Sequence, residues 1–250
     1  MKTATLRLLI PVFCFIVTLS SNAQEKASAE LPSLKNKHVI LVYGGWEGHQ
    51  PKASAEKIQE WLLKEGAQVT LSDSLGVYTQ TEIMKHADLI IQHWTMGEIS
   101  NTQIKALENA VKNGVGLAGF HGGLGDAFRN NTEYQYMIGG QFVKHPGGKV
   151  DYKVTIADNI NPITKGLKDF KVSHTEQYYM HMDPKVNVLA TTTFSGAHDS
   201  WIKGVVMPVC WTTQYGKGKV FYLSIGHQPS DLDTYETRQL LIRGFRWACK

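Results

Sequence analysis

Four apolar runs in this chain are each followed closely by a histidine. Val39-Ile40-Leu41-Val42-Tyr43 passes through Gly44-Gly45-Trp46-Glu47-Gly48 to His49, and Leu89-Ile90-Ile91 leads to Gln92-His93-Trp94. Gly116-Leu117-Ala118-Gly119-Phe120 leads to His121-Gly122-Gly123, and Val220-Phe221-Tyr222-Leu223 to Gly226-His227. Imidazole titrates close to neutral pH, so it can serve as general base, general acid or ligand. A further constellation, His174-Thr175-Glu176-Gln177-Tyr178-Tyr179-Met180-His181, sets a carboxylate among histidines and tyrosines. If extended, the segment puts His174, Glu176 and Tyr178 on one face, with Gln177, Tyr179 and His181 on the other. Partial burial raises a carboxylate's pKa towards working pH, which makes Glu176 a candidate acid/base group. The plain alternatives are a satisfied polar His121 in a tight turn and a surface strand whose aromatics cover the core.

Other residues fit the same kind of site. Gly122 and Gly123 allow backbone amides to approach a ligand closely. His49 precedes a helix whose amino end favours anions, where it binds substrate or caps the helix. His145 lies in Gly139-Gly140-Gln141-Phe142-Val143-Lys144-His145-Pro146-Gly147-Gly148, a lid or a mobile surface loop. His227 follows a strongly apolar strand and suits a general base oriented by a neighbour. His38, His86 and His198 have no supporting context. The many histidines raise the question of metal, but there is no His-x-His pair and no His-Glu-x-x-His helix. His121, Glu176 and His227 could form a facial ligand set only through folding. No metal and no cofactor are therefore predicted, with a metal-dependent hydrolase kept as an alternative.

The elements that must position these groups follow from periodicity. Strand, helix, strand, helix in succession favours a parallel sheet with crossover helices, whose ligands bind beyond the carboxyl ends of the strands. Helix one is expected over about residues 51–65, with Ile58, Trp61, Leu62 and Leu63 buried and Gly66 ending it. Residues 68–71 form a short strand and 81–86 a short helix. Ser100 and Gln103 make a capping box for a helix buried through Ile104, Leu107 and Val111. Residues 150–156 alternate as a one-sided strand, and 186–191 form another. Residues 207–213 and 219–224 flank a hairpin turn at Gln214-Tyr215-Gly216-Lys217-Gly218, and a last helix covers about 235–249. No internal repeat interrupts one domain over 38–250, preceded by a flexible lead-in over 24–37.

The first 23 residues read as a targeting segment. Lys2 and Arg7 form a basic start, Leu8 to Leu19 an apolar core too short to span a membrane, and Ser21-Asn22-Ala23 a cleavage pattern. Cys14 lacks the flanks of a lipidation site. The expected location is the periplasm or the exterior, with no membrane anchor after processing. About 225 residues then remain, enough for one well-buried domain. Without Lys2 and Arg7 the chain has 24 basic and 22 acidic residues, too even to suggest a nucleic-acid or membrane-surface partner. Cys210 and Cys249 could pair in an oxidising compartment, although their spacing does not require it.

Taken together, Gly44-Gly45 with His49, Gly119-Phe120-His121-Gly122-Gly123, the loop ending His145-Pro146, Glu176-Gln177-Tyr178, and Pro208-Val209-Cys210-Trp211 through Gly216-Lys217-Gly218 to Gly226-His227 resemble the ThuA-like (trehalose-utilisation) family. The match runs through nearly the whole mature chain in order. The resemblance implies a flavodoxin-like α/β fold related to class I glutamine amidotransferases, with an added β-rich segment. Those relatives carry a cysteine where His121 stands, and Cys210 and Cys249 are not placed to replace it. A glutaminase thioester mechanism therefore lacks its nucleophile. This chain also reads His-Thr-Glu where many relatives have Asp-Glu, which removes one carboxylate of a two-carboxylate glycosidase scheme.

The resemblance further implies a sugar-sized site and a link to sugar oxidoreductases, with keto-sugars or 3-keto-glycosides as substrates. Under it, His121, Glu176 and His227 are catalytic: Glu176 or His227 as base, and His121 with nearby amides stabilising an enolate. Trp46, Trp94, Tyr178 and Trp211 stack on a pyranose, and Gly45, His49, His93, Gly122, Gly123, His145 and His181 complete the substrate-binding set. Hydrolysis, elimination and isomerisation remain alternatives within that chemistry. A non-catalytic carbohydrate-binding accessory protein is the competing class.

Overall fold

The run from Val39 to Tyr43 is β-branched and apolar, and in the computed structural model it forms the middle of a strand, β1 (His38–Gly45), buried on both faces. Residues 30–250 are described; the targeting segment and cleavage pattern expected over the first 23 residues lie outside them. β1 pairs in parallel with β2 (Gln68–Ser72) and β3 (Leu89–Thr95). β3 pairs in parallel with β4 (Gly116–Phe120), and β4 with β11 (Gly218–Leu223). The order β2-β1-β3-β4-β11 is the flavodoxin-like arrangement, with the carboxyl ends of the strands on one edge. Continuous apolar runs are what a doubly covered parallel sheet requires.

Helices close both faces. Alternate residues of β1 enter opposite cores, Val39 and Leu41 in one, Ile40 and Val42 in the other. The first core takes Ile58, Trp61 and Leu62 of α1 (Pro51–Lys64) and Leu240, Leu241 and Phe245 of α6 (Tyr235–Ala248). Leu63, expected in the buried stripe, is exposed instead, because it lies a turn-edge beyond the face that Ile58 and Leu62 share. The second core takes α3 (Asn101–Lys112) through Ile104, Leu107 and Val111, and the Ser100–Gln103 capping box is formed. The short α2 (Thr81–His86) precedes β3.

Beyond β11 the sheet continues in antiparallel fashion. β10 (Val206–Tyr215) makes the expected hairpin with β11, followed in spatial order by β9 (Asn187–Thr193), β6 (Lys149–Ile156) and β7 (Phe170–Glu176), nine strands in all. A separate ribbon pairs β5 (Gly140–Lys144) with β8 (Tyr179–Met182). Two short helices, α4 (His121–Gly125) and α5 (Thr132–Ile138), complete the α/β architecture.

The segment 174–181 does not run as one strand. β7 stops at Glu176, β8 begins at Tyr179, and the β6–β7 register shifts between Val150 and Tyr152. His174 takes a left-handed φ of 52° and is exposed, so it does not share a face with buried Glu176 and Tyr178. The end of the lead-in is anchored: Leu34 is fully buried, and Lys37 N–H donates to its carbonyl. Cys210 and Cys249 are free, buried thiols.

Candidate functional site

The site is assembled from five points along the chain, most of them at strand ends. After β1, Gly45 with φ of 80° lets the chain turn so closely over β3 that a Cβ would stand 2.0 Å from the Thr95 carbonyl oxygen. The turn carries Trp46, half-exposed, with its ring edge-on to that of His49 at 4.7 Å. After β4, His121 opens α4 with φ of 48°, a strained left-handed conformation for a side chain of this size. The strand–turn–helix geometry presents its ring at the sheet edge, as a nucleophile elbow presents a serine. Tyr222 donates from its hydroxyl to the His121 carbonyl at 3.0 Å, which holds that turn. Gly122 is the next residue because the His49 ring lies against it; a Cβ there would meet His49 Cε1 at 2.5 Å. His227 follows β11, and Glu176 ends β7, whose contact with the others requires the antiparallel extension to fold back over the strand ends.

Four imidazoles surround the one carboxylate. Glu176 Oε2 lies 3.1 Å from His121 Nε2 and 3.9 Å from His49 Nε2; Oε1 lies 3.2 Å from His227 Nδ1 and 3.7 Å from His145 Nε2. His49, His121, Glu176 and His227 are all buried, while the His145 side chain is half-exposed at the rim. The rings are braced from behind. His121 Nδ1 donates to the Ser224 carbonyl at 2.8 Å, and His49 Nδ1 stands 2.9 Å from Thr95 Oγ1. Tyr178 stacks on His121 with its hydroxyl 2.8 Å from Nε2, and the Tyr152 hydroxyl donates to the Glu176 carbonyl at 3.2 Å.

Burial sets the charge states. It pushes His121 down to about 4, against the opposing pull of the Glu176 carboxylate, so the ring is neutral near pH 7. Burial alone would raise Glu176, but the imidazoles of His121, His227 and His49 outweigh it and hold the carboxyl well below its usual range. Burial raises Tyr178 well above the usual phenol range, so its hydroxyl stays a donor. The centre is thus an ionised carboxylate enclosed by imidazoles, able to bind hydroxyls, move a proton or hold a cation.

Not every expected residue joins it. His93 is fully buried behind Gly123, stacked on Phe120 at 4.4 Å with neither ring nitrogen hydrogen-bonded, so no substrate reaches it. Trp211 is equally enclosed, its indole N–H donating to the Ile138 carbonyl at 3.0 Å, and is a core residue rather than a stacking platform. His181 is exposed on β8 opposite Gln141, and Trp94 covers Gly44. Tyr178 is too enclosed to stack on a sugar and instead backs His121. Sequence reasoning missed Thr95, Ser224 and Asp126, the last paired with Arg129 at 2.6 Å. Thr95, the polar last residue of β3, was detectable; Ser224 acts through its carbonyl, which leaves no side-chain signal.

The sequence profile of the ThuA family, described as trehalose utilisation, matches residues 38–248. A ThuA-like protein of Bacteroides uniformis ATCC 8492 superposes with a TM-score of 0.70 at 20% identity, covering 88% of this chain and 93% of that one. One from Parabacteroides merdae ATCC 43184 gives 0.70 at 18% identity, covering 86% and 90%. Among curated proteins there is no match. A histidine at the strand–turn–helix corner, a carboxylate returned to it from the antiparallel extension and a family profile spanning nearly all the described residues agree: the chain belongs to the ThuA family.

Proposed function

We propose that this protein is an enzyme that converts keto-sugars or 3-keto-glycosides by acid/base chemistry at the Glu176 cluster. The observation that carries this reading is the convergence of His49, His121, His145 and His227 on one buried carboxylate, beside the half-exposed ring of Trp46. A pyranose offers many hydroxyls and an apolar face, which such groups and an indole complement. A ketone acidifies the adjacent C–H, so a positioned base and a polarised carbonyl suffice for enolisation, and loss of the glycosidic oxygen can follow. The low pKa direction of Glu176 makes it a weak proton acceptor, suited to binding and orienting. Proton transfer then falls to the imidazoles nearest the opening, His227 and His145. A 3-keto-sugar arises by oxidation of a secondary hydroxyl, so a sugar oxidoreductase would supply the substrate. The amino-terminal segment of basic, apolar and small residues favours action outside the cytoplasm.

The test is NMR of the mature protein with 3-keto-trehalose or a 3-keto-glucoside in deuterated water. Wild type is expected to place deuterium beside the ketone or release free sugar, and His145→Ala, His227→Ala and Glu176→Gln to lose about 100-fold or more in rate. Ligand signals that shift without turnover would favour the non-catalytic carbohydrate-binding protein. An absence of any interaction would remove keto-sugars as the substrate class.

A further inference from the structure

His121 poses a problem that its neighbours do not solve. A carbonyl oxygen only accepts, so the 2.8 Å contact with Ser224 fixes a hydrogen on Nδ1 and leaves Nε2 facing Glu176 Oε2 at 3.1 Å. Nε2 also has the Tyr178 hydroxyl at 2.8 Å, so three polar atoms crowd one buried point. A second group is incomplete. His227 is 7% exposed, and its Nδ1 lies 3.2 Å from Glu176 Oε1 without making a hydrogen bond to any group. Imidazole nitrogens gathered around a buried carboxylate are a donor set that suits a divalent cation.

We propose that His49, His121, Glu176 and His227 bind one divalent transition-metal ion. Their ligand atoms lie within 4.8 Å of one another, all four residues buried. Bond lengths of about 2.0–2.2 Å place tetrahedral ligands about 3.3 Å apart, close to the 3.1 and 3.2 Å seen from Glu176 to His121 and His227. Three imidazoles and a carboxylate suit zinc and its first-row neighbours better than calcium or magnesium. Outer partners of the kind such ligands need are present, Ser224 behind His121 and Thr95 behind His49. The set comes from three strand ends and the antiparallel extension, which is why no local metal motif exists in the sequence. His145 stays outside it, and with His227 taken as a ligand the proton transfer of the proposed reaction rests on His145. The inference rests on these residues alone, not on the keto-sugar reading.

The experiment titrates untagged, chelator-treated protein with Co2+ and with Zn2+, following visible absorption and heat. One equivalent is expected, giving the intense bands of four- or five-coordinate cobalt that Zn2+ then displaces. Thr95→Val leaves the ligands in place and is expected to weaken binding about 10–100-fold. His49→Ala and Glu176→Gln weaken it further, while His145→Ala binds as wild type. Thr95→Val keeps the test decisive if a ligand variant fails to fold. Weak octahedral spectra, or binding lost in His86→Ala at the exposed His38–His86 pair rather than in the cluster variants, would overturn the proposal. Metal bound without keto-sugar turnover leaves this inference standing and removes the substrate; turnover in protein that binds no metal does the reverse.

Discussion

His93 has both ring nitrogens buried and unpaired, and burial pushes its pKa from 6.5 down to about 3. The unfolded chain therefore takes up this proton first as pH falls. Its contribution to stability is complete above about pH 6.5 and is lost progressively towards pH 3. His93→Leu, close in size and without polar atoms, is expected to be at least as stable at pH 7 and to lose less on acidification. Urea midpoints at pH 7 and pH 5 for both proteins check this; equal losses would mean that His93 titrates as an exposed ring. A second residue-scale test concerns Gly122, whose added Cβ would press on His49 Cε1 at 2.5 Å and Nδ1 at 2.8 Å. Gly122→Ala is expected to cost about 1–3 kcal/mol by overpacking and to displace His49, so that turnover falls far more than stability. Activity within a few-fold of wild type would sink the assigned role of His49. The functional histidines were legible because they follow apolar runs. Which of them face the opening was not, since that depends on where the strand ends: β3 continues through His93, whereas β4 stops at Phe120 and His121 is turned to the site by its left-handed φ.

At the scale of elements, the strongest periodic segments were legible to within a residue or two. The capping box at Ser100 works locally, so it could be read without knowing the fold. Ser100→Ala is expected to cost about 1 kcal/mol in denaturant unfolding and to leave turnover unchanged, because the cap acts on the first turn of α3, which packs into the second core through Ile104, Leu107 and Val111. A change in activity would mean that α3 reaches the site. The helices α4 and α5 could not be read. His121-Gly122-Gly123-Leu124-Gly125 is a poor helix former by composition. Tertiary bonds hold it: Tyr222 to the His121 carbonyl, and the Tyr134 hydroxyl to the Leu124 carbonyl at 3.0 Å. The β7–β8 break had the same cause, since the alternation in 174–181 gives no sign of a bulge set by the β6 partner.

The whole molecule has to solve a topological problem. Glu176 belongs to β7, the last strand in the sheet order, while His121 follows β4 in the parallel half. The carboxylate is 55 residues from His121 in sequence and reaches it only if the antiparallel extension is tied down over the strand ends. Asp231 makes that tie. It accepts from the Thr175 hydroxyl at 2.6 Å, next to Glu176, and from the Gln228 backbone N–H at 3.2 Å, next to His227. One side chain thus fixes the residues adjoining both Glu176 and His227 without touching either. Losing it frees two donors, each worth about 0.5–1.5 kcal/mol when paired, and more if left buried. Asp231→Ala is expected to lower unfolding stability by about 1–3 kcal/mol and to reduce kcat by about tenfold or more, because it loosens groups that must meet within hydrogen-bond reach. Asp231→Asn keeps one acceptor oxygen and should recover part of both. Were stability to fall while kcat stayed at the wild-type value, the extension would be held in place by the β9–β10 pairing alone, and the geometry around Glu176 would owe nothing to this bridge.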